Sequence, residues 1–332
     1  MKKLPDFGRR LAAILAATSA CFAADLAAQT TVPSAYPTRT VTIVVPTAAA
    51  GPTDLIARAI AEPLRRAWNQ SVVVENRPGA SAIIGTEVVA KSPPDGYTLL
   101  LGYTAHIQAI SLFKKLPYDP LNGFAAVTQI CAAPLAFVVR ESDGPRSLAA
   151  FVTQAKASPE SLNYGNWGIA SSGHLYGELL NRVAGIKATN AGYKGVAAIV
   201  NDILGGHITG AILDMAVTRP HVLSGRLRPI AVTGVRRSLL MPEVPTFAEL
   251  GYPGFEPVGW FGVLAPARTP AEIVSRVAGD VRAALAAPQL AENFKQLGLE
   301  IVGGTPEQFS AVMREDTVKW AKLIREAGIQ PE

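Results

Sequence analysis

From Tyr36 onward, short β-branched runs alternate with amphipathic stretches. The switch between a two-residue and a 3.6-residue hydrophobic period predicts an α/β protein with largely parallel sheets. Val41 to Val45 reads as the first strand, Pro46 to Pro52 as a small-residue turn, and Thr53 to Trp68 as a helix. Leu55, Ile56, Ala59, Ile60, Leu64 and Trp68 share one face of that helix, and Pro63 inside it is expected to kink it. A strand over Val72 to Glu75, a turn at Asn76 to Gly79, a small helix through Ile83 to Lys91 and a strand over Tyr97 to Gly102 follow. Leu116 to Pro120 is loop-like. The stretch Ala126 to Arg140 is too long for one ordinary strand and reads as a crossing between two lobes.

A second series begins with a helix from Leu148 to Ala157, then a short strand at Leu162 to Tyr164 and a loop from Gly165 to Ser172. Helices over His174 to Val183, stopped by Gly185, and over Val196 to Leu204, ended by Gly205-Gly206, come next. A strand at Thr209 to Leu213, a helix after Asp214 and a strand at Arg228 to Thr233 complete this series. Trp260 to Pro266 resembles a return crossing, since two long amphipathic helices, Pro270 to Ala287 and Pro306 to Ile324, come after it. No repeat of fixed period and no low-complexity linker is visible.

Composition adds limits. The 332 residues are 49% hydrophobic and 17% charged, enough for a substantial core and for two lobes. Mean hydropathy is +0.23, but 25 Pro and 29 Gly break every apolar run after the first, which excludes a multispan membrane protein and a disordered chain. The first run has the form of a secretory signal: Lys2, Lys3, Arg9 and Arg10 precede Leu11 to Ala24, and small residues follow at Ala27 and Ala28. It is roughly 14 residues long and mostly Ala, where a spanning helix needs about 20. Cys21 lacks a large aliphatic residue three positions before it, so lipid anchoring is not expected. Cleavage after residue 28 would remove four of 31 basic and two of 26 acidic side chains, leaving a net charge of +3 and Cys131 as the sole cysteine. An internal disulfide is then impossible, and the dispersed Lys and Arg give no stripe for nucleic acid.

The chemistry-bearing residues are sparse. The four His and scattered carboxylates show no HxxxH, CxxC or DxDxDG spacing, and neither GxSxG nor GxGxxG occurs. Neither metal nor cofactor is expected, nor catalysis. Two similar features remain, one per lobe: a small-residue loop that follows a strand and opens a helix, Pro46 to Asp54 and Gly165 to Ser172. Helix starts carry unpaired N–H groups and positive partial charge, so two of them facing each other would receive a carboxylate without any basic side chain. The same loops are also ordinary strand-to-helix turns. Asp54 reads equally as a first-turn helix charge, and Asp214 as a helix cap.

At these positions the chain resembles the extracytoplasmic solute receptors of tripartite tricarboxylate transporters, the Bug proteins. The landmarks run through nearly all of the chain after Tyr36-Pro37: Val74 to Ala80 (VENRPGA), Pro94 to Leu100 (PDGYTLL), Leu116 to Pro120 (LPYDP), Tyr193-Lys194-Gly195, Ala231-Val232-Thr233, Pro242 to Thr246 (PEVPT), Trp260-Phe261-Gly262 and Gly303 to Phe309 (GGTPEQF). The resemblance implies a periplasmic binding protein-like fold of type II, with two α/β lobes joined by crossing strands. It implies lobes at 36–133 plus 256–332 and at 134–255, after a signal peptide at 1–28. It also implies a monomeric periplasmic receptor that takes a small carboxylate solute to transporter membrane subunits. The alternative is a loaded sensor that docks on a membrane sensor kinase, and a weaker one is an enzyme on the same fold. Carried over by position, the ligand-binding residues are Gly51, Thr53, Asp54, Thr104, Gly168, Ala170, Ser171 and Asp214. Ala48 to Ala50 stand where Pro-Pro-Gly is common, and Pro52 has no N–H to offer. Trp167 replaces a usually small residue and is expected to narrow the pocket or stack on the solute.

Overall fold

The computed structural model describes residues 36–158, 162–168, 171–193, 195–256 and 258–331. The expected signal segment and Ala170 lie outside them. In chain order the elements are β1 (Val41–Val45), α1 (Pro52–Trp68), β2 (Val72–Asn76), α2 (Ile83–Ala90), β3 (Thr98–Tyr103), α3 (Ala105–Leu112), β4 (Phe124–Ala133) and β5 (Leu135–Arg140). There follow α4 (Leu148–Ala157), β6 (Asn163–Asn166), α5 (Ser172–Ala184), β7 (Thr189–Gly192), α6 (Val196–Gly205), β8 (Gly210–Asp214), α7 (Met215–Leu223) and β9 (Leu227–Val232). The chain ends with β10 (Gly259–Pro266), α8 (Ala271–Leu285), α9 (Pro288–Gln296), β11 (Glu300–Ile301) and α10 (Pro306–Glu326).

The strands form two sheets, ordered β11-β4-β10-β3-β1-β2 and β7-β6-β8-β5-β9. The long extended stretch breaks at Pro134, which has no N–H for a ladder. β4 on one side joins the first sheet and β5 on the other joins the second. The sheets are mixed, not largely parallel as the alternating pattern predicts. β1 pairs parallel with β2 and β3, and β6 with β7 and β8. β4 and β5 make the passage between sheets and β10 follows the return, so none of the three belongs to a strand-helix-strand unit, and all pair antiparallel. β10 lies wholly within the first sheet, between β3 and β4, so the return of the chain precedes Gly259.

β5 shows why both of its faces must be apolar. Leu135, Phe137 and Val139 enter one buried cluster, and Ala136 and Val138 enter another on the opposite face. The first cluster continues from the second sheet to α10 through ring contacts: Phe137 with Phe247, Phe247 with Phe255 at 3.9 Å, Phe255 with Tyr176, and Tyr176 with Trp320 at 5.5 Å. The two α/β lobes therefore share a core where the chain crosses, and Pro37–Glu332 forms one compact unit. Helix α10 starts with a full capping box, in which Thr305 accepts from the Gln308 N–H and Gln308 reaches back to the Thr305 N–H at 2.9 Å. Helix α1 runs on through Pro63. Among the described residues no helix is long and apolar enough to cross a membrane.

Candidate functional site

The first-lobe loop joins β1 to α1. Ala50 stands at φ +64°, a left-handed conformation that costs a non-glycine residue about 1–2 kcal/mol. Asp54 holds it there: its Oδ2 accepts from the Ala50 N–H at 2.9 Å and from Arg58 Nε at 3.0 Å, and Arg58 also reaches Oδ1 at 3.0 Å. Arg58 donates onward to Asn76 Oδ1, and Asn76 donates to the Thr47 carbonyl, so both ends of the loop are tied to β2. The Arg58 hydrogen bond is the main reason that Asp54 stays below the usual carboxylate range, against the opposing effect of burial. Gly51 is the extended N-cap residue of α1, Pro52 occupies its first turn and Thr53 is buried behind it. Thr104, at the end of β3, is buried too, with Oγ1 accepting from the Trp260 N–H at 2.8 Å.

The second-lobe loop is organised by Asn166, whose Oδ1 accepts from the Gly168 N–H at 2.8 Å while its Nδ2 donates to the Ala191 carbonyl. Gly168 has φ +138°, a conformation that L side chains rarely adopt. Its carbonyl accepts from the Ser171 N–H, and Ser171 Oγ caps α5 by accepting from the His174 N–H at 3.3 Å. Trp167 turns inward: a Cβ on Gly173 would collide with its ring, and the indole packs against both buried clusters that flank β5. The glycine at 173 is the space the indole needs. The ring packs into the lobe and stays partly exposed.

Between the sheets lies a cavity of about 260 Å³. Pro52 and Leu55 of α1, Ala133 and Pro134 of the crossing, Phe261 of β10, Asp214 to Val217 and Leu297 to Leu299 line it. Of the candidate residues, Asp214 lines this cavity, Gly51 and Thr53 flank Pro52 at its edge, and Asp54, Thr104, Gly168 and Ser171 are not among its walls. Asp214 is the N-cap residue of α7, yet its side chain accepts no capping bond. Burial between the layers pushes its carboxyl up to about 6, although the side chain keeps partial solvent contact through the cavity.

Sequence reasoning missed the wall formed by Leu297 to Leu299. Gly298 sits at φ +68° against the α7 backbone, where a Cβ would lie 2.1 Å from Ala216 N. Only the glycine itself hints at so close an approach. Leu55, expected on the apolar face of α1, and Phe261 of β10 both border the cavity, and Leu55 is exposed.

Residues 56–329 match the family described as tripartite tricarboxylate transporter family receptor. The chain is 36% identical over 295 residues to Protein BugT of Bordetella pertussis, covering 88% of this chain and 90% of that one. Among solved structures, Rpa4515 of R. palustris with adipate superposes with a TM-score of 0.75 at 35% identity, over 90% of this chain and all of the other. MatC of Rhodopseudomonas palustris with bound malate does so with 0.71 at 28% identity, over 87% of this chain and 100% of that one. Family match, sequence similarity and shared fold all extend over most of the length, and the chain belongs to the tripartite tricarboxylate transporter receptor family.

Proposed function

We propose that this chain is an exported periplasmic receptor that captures a small carboxylate-bearing solute between its two lobes and delivers it to the membrane subunits of a tripartite transporter. The observation that carries this reading is the cavity at the chain crossing, walled by the start of α1 from one lobe and by Asp214 and α7 from the other. Residues 36–133 with 256–332 would move as one lobe and 134–255 as the other, hinged at Pro134 and before Gly259. Gly51, Thr53 and Ala170 would offer backbone N–H groups and Ser171 its hydroxyl proton to the carboxylate, Gly168 would shape the second loop through its own bonds to Asn166 and Ser171, and Asp54 would fix the first loop. Thr104 would orient Trp260 and the start of β10 beside them. The reading is supported by the family and by the adipate and malate of the two solved relatives. Receptor binding needs no covalent step, so the protein would act without turnover, and we read it as a monomer.

A thermal-shift screen of organic acids on the secreted, processed protein tests this. A ligand at 100-fold its Kd stabilises by about 2.7 kcal/mol, well above detection. At least one mono- or dicarboxylate should raise the transition. Shifts produced only by sugars, metal cations or nucleotides would overturn the reading.

A further inference from the structure

We propose that Asp214 selects solutes that carry an ammonium group on an apolar carbon skeleton. The inference rests on the carboxylate-receptor reading and names the solute class for that same cavity. An aspartate at a helix N-cap ordinarily turns its carboxylate onto the N–H groups of its own first turn. Asp214 does not: α7 has no side-chain cap, and among the described residues no donor from another residue reaches this carboxyl. The group instead lines the cavity.

What surrounds it makes the choice of ligand sharp. The side chains of Pro52, Leu55, Met215, Val217, Phe261 and Leu297 are apolar, and none of the lining residues is Lys, Arg or His. A carboxylate held in such a setting, with its pKa raised toward 6 by burial, has its charge uncompensated. A second carboxylate placed beside it would repel, and a hydrocarbon alone would leave it desolvated and unpaired. A hydroxyl would satisfy its hydrogen bonding and leave the charge. An ammonium group answers both needs, while an aliphatic body covers the leucine and phenylalanine walls and the solute's own carboxylate faces the start of α1, whose Pro52 lines the same cavity.

Four six-carbon acids separate the possibilities: hexanoate, adipate, leucine and its isomer 6-aminohexanoate, each titrated calorimetrically into the processed protein and into Asp214→Asn. At least one of the two amino acids should bind the wild-type protein more than tenfold tighter than hexanoate and adipate. In Asp214→Asn that preference should shrink below threefold. If hexanoate or adipate binds more tightly than both amino acids, the inference is wrong and the receptor reading stands. Binding by none of the four also overturns the inference, and the broader acid screen then decides separately whether the protein takes carboxylates. The wild-type ranking is informative even if the variant fails to fold.

Discussion

Ser238 donates its hydroxyl proton to Glu300 Oε1 at 2.5 Å. The Leu239 N–H reaches the same oxygen at 2.8 Å, and Arg236 lies 3.7 Å from the other. Ser238 belongs to the segment after β9 of the second sheet, and Glu300 to β11 at the edge of the first, so one carboxylate receives donors from across the lobes. Only about a tenth of its side chain is exposed. Hydrogen bonds to a charged, largely buried acceptor contribute more than neutral ones, and Glu300→Ala takes the shared acceptor from two donors, leaving Ser238 only the weak Met215 Sδ. The loss should be about 2–3 kcal/mol, with a smaller loss for Glu300→Gln, which keeps an acceptor. Because Leu297 to Leu299 lie immediately before Glu300, affinity for the bound acid should also fall in the alanine variant. Denaturant unfolding and a calorimetric titration check the two effects; unchanged midpoints would mean that the cross-lobe bond contributes nothing.

Asp54 provides a pH-dependent prediction. Its carboxyl is held below the ordinary value of 3.8 in the fold, chiefly by Arg58. The stabilisation is therefore complete above 3.8 and is lost as pH falls through the lower folded value. Arg58 is half exposed, which limits the ion pair, so Asp54→Asn should cost about 1 kcal/mol at pH 7, mostly through the weakened grip on Ala50. The difference between wild type and variant should narrow at pH 3. A gap of the same size at both pH values would contradict the assignment.

The elements that sequence made legible were those with a strong local period. β1, α1, α5, α8 and α10 fall where the apolar spacing places them, within a few residues. β7 was missed because Thr189 to Gly192 lacks a β-branched run and is held only as the parallel edge beside β6. α9 was missed because Pro288 opens a separate short helix directly after the long one. The two strand-to-helix loops were legible as loops, but what they do with their polar groups was not. Asp54 spends its oxygens on Ala50 and Arg58, Ser171 on His174, and Trp167 on the space above Gly173, and each partnership depends on the folded backbone. The cavity wall at Gly298 is a tertiary contact between segments about eighty residues apart, which no local pattern records.

His106 supplies a second acid-sensitive group. It is buried beside Tyr118 and Phe124, with Nε2 bonded to the Pro120 carbonyl at 2.7 Å. Burial lowers its pKa from 6.5 to about 4, so the fold holds it neutral while the unfolded chain takes up a proton below 6.5. Its contribution is whole above pH 6.5 and falls away toward pH 4, by up to about 3 kcal/mol. Asp214 and Asp316, both pushed up to about 6 by burial, act in the opposite sense: their contribution is present below 3.8 and is lost as pH rises through about 6. The overall curve mixes these trends, so the difference between wild type and His106→Phe isolates the histidine. That difference should change steadily between pH 6.5 and 4 and be flat above 7. A flat difference over the whole range would show that His106 is not held neutral.

The same chemical change at two glycines should have opposite signs. Gly279 lies on the exposed face of α8 with nothing within 4 Å of an added Cβ, and Ala is a better helix former than Gly by about 0.8–1 kcal/mol. Gly279→Ala should therefore stabilise by up to about 1 kcal/mol. At Gly298 a Cβ would meet Ala216 N at 2.1 Å and Met215 C at 2.6 Å, both backbone atoms at the start of α7, and the φ of +68° disfavours any side chain. Gly298→Ala should destabilise by about 2–4 kcal/mol from overpacking and left-handed strain together. The structure can relieve the clash only by moving the 297–299 wall or the start of α7, and either movement changes the cavity that Asp214 lines. Affinity for the bound acid should fall by more than tenfold in Gly298→Ala and be untouched in Gly279→Ala. Thermal unfolding and ligand titration of the pair check this, and equal affinities in the two variants would detach the Gly298 wall from solute binding.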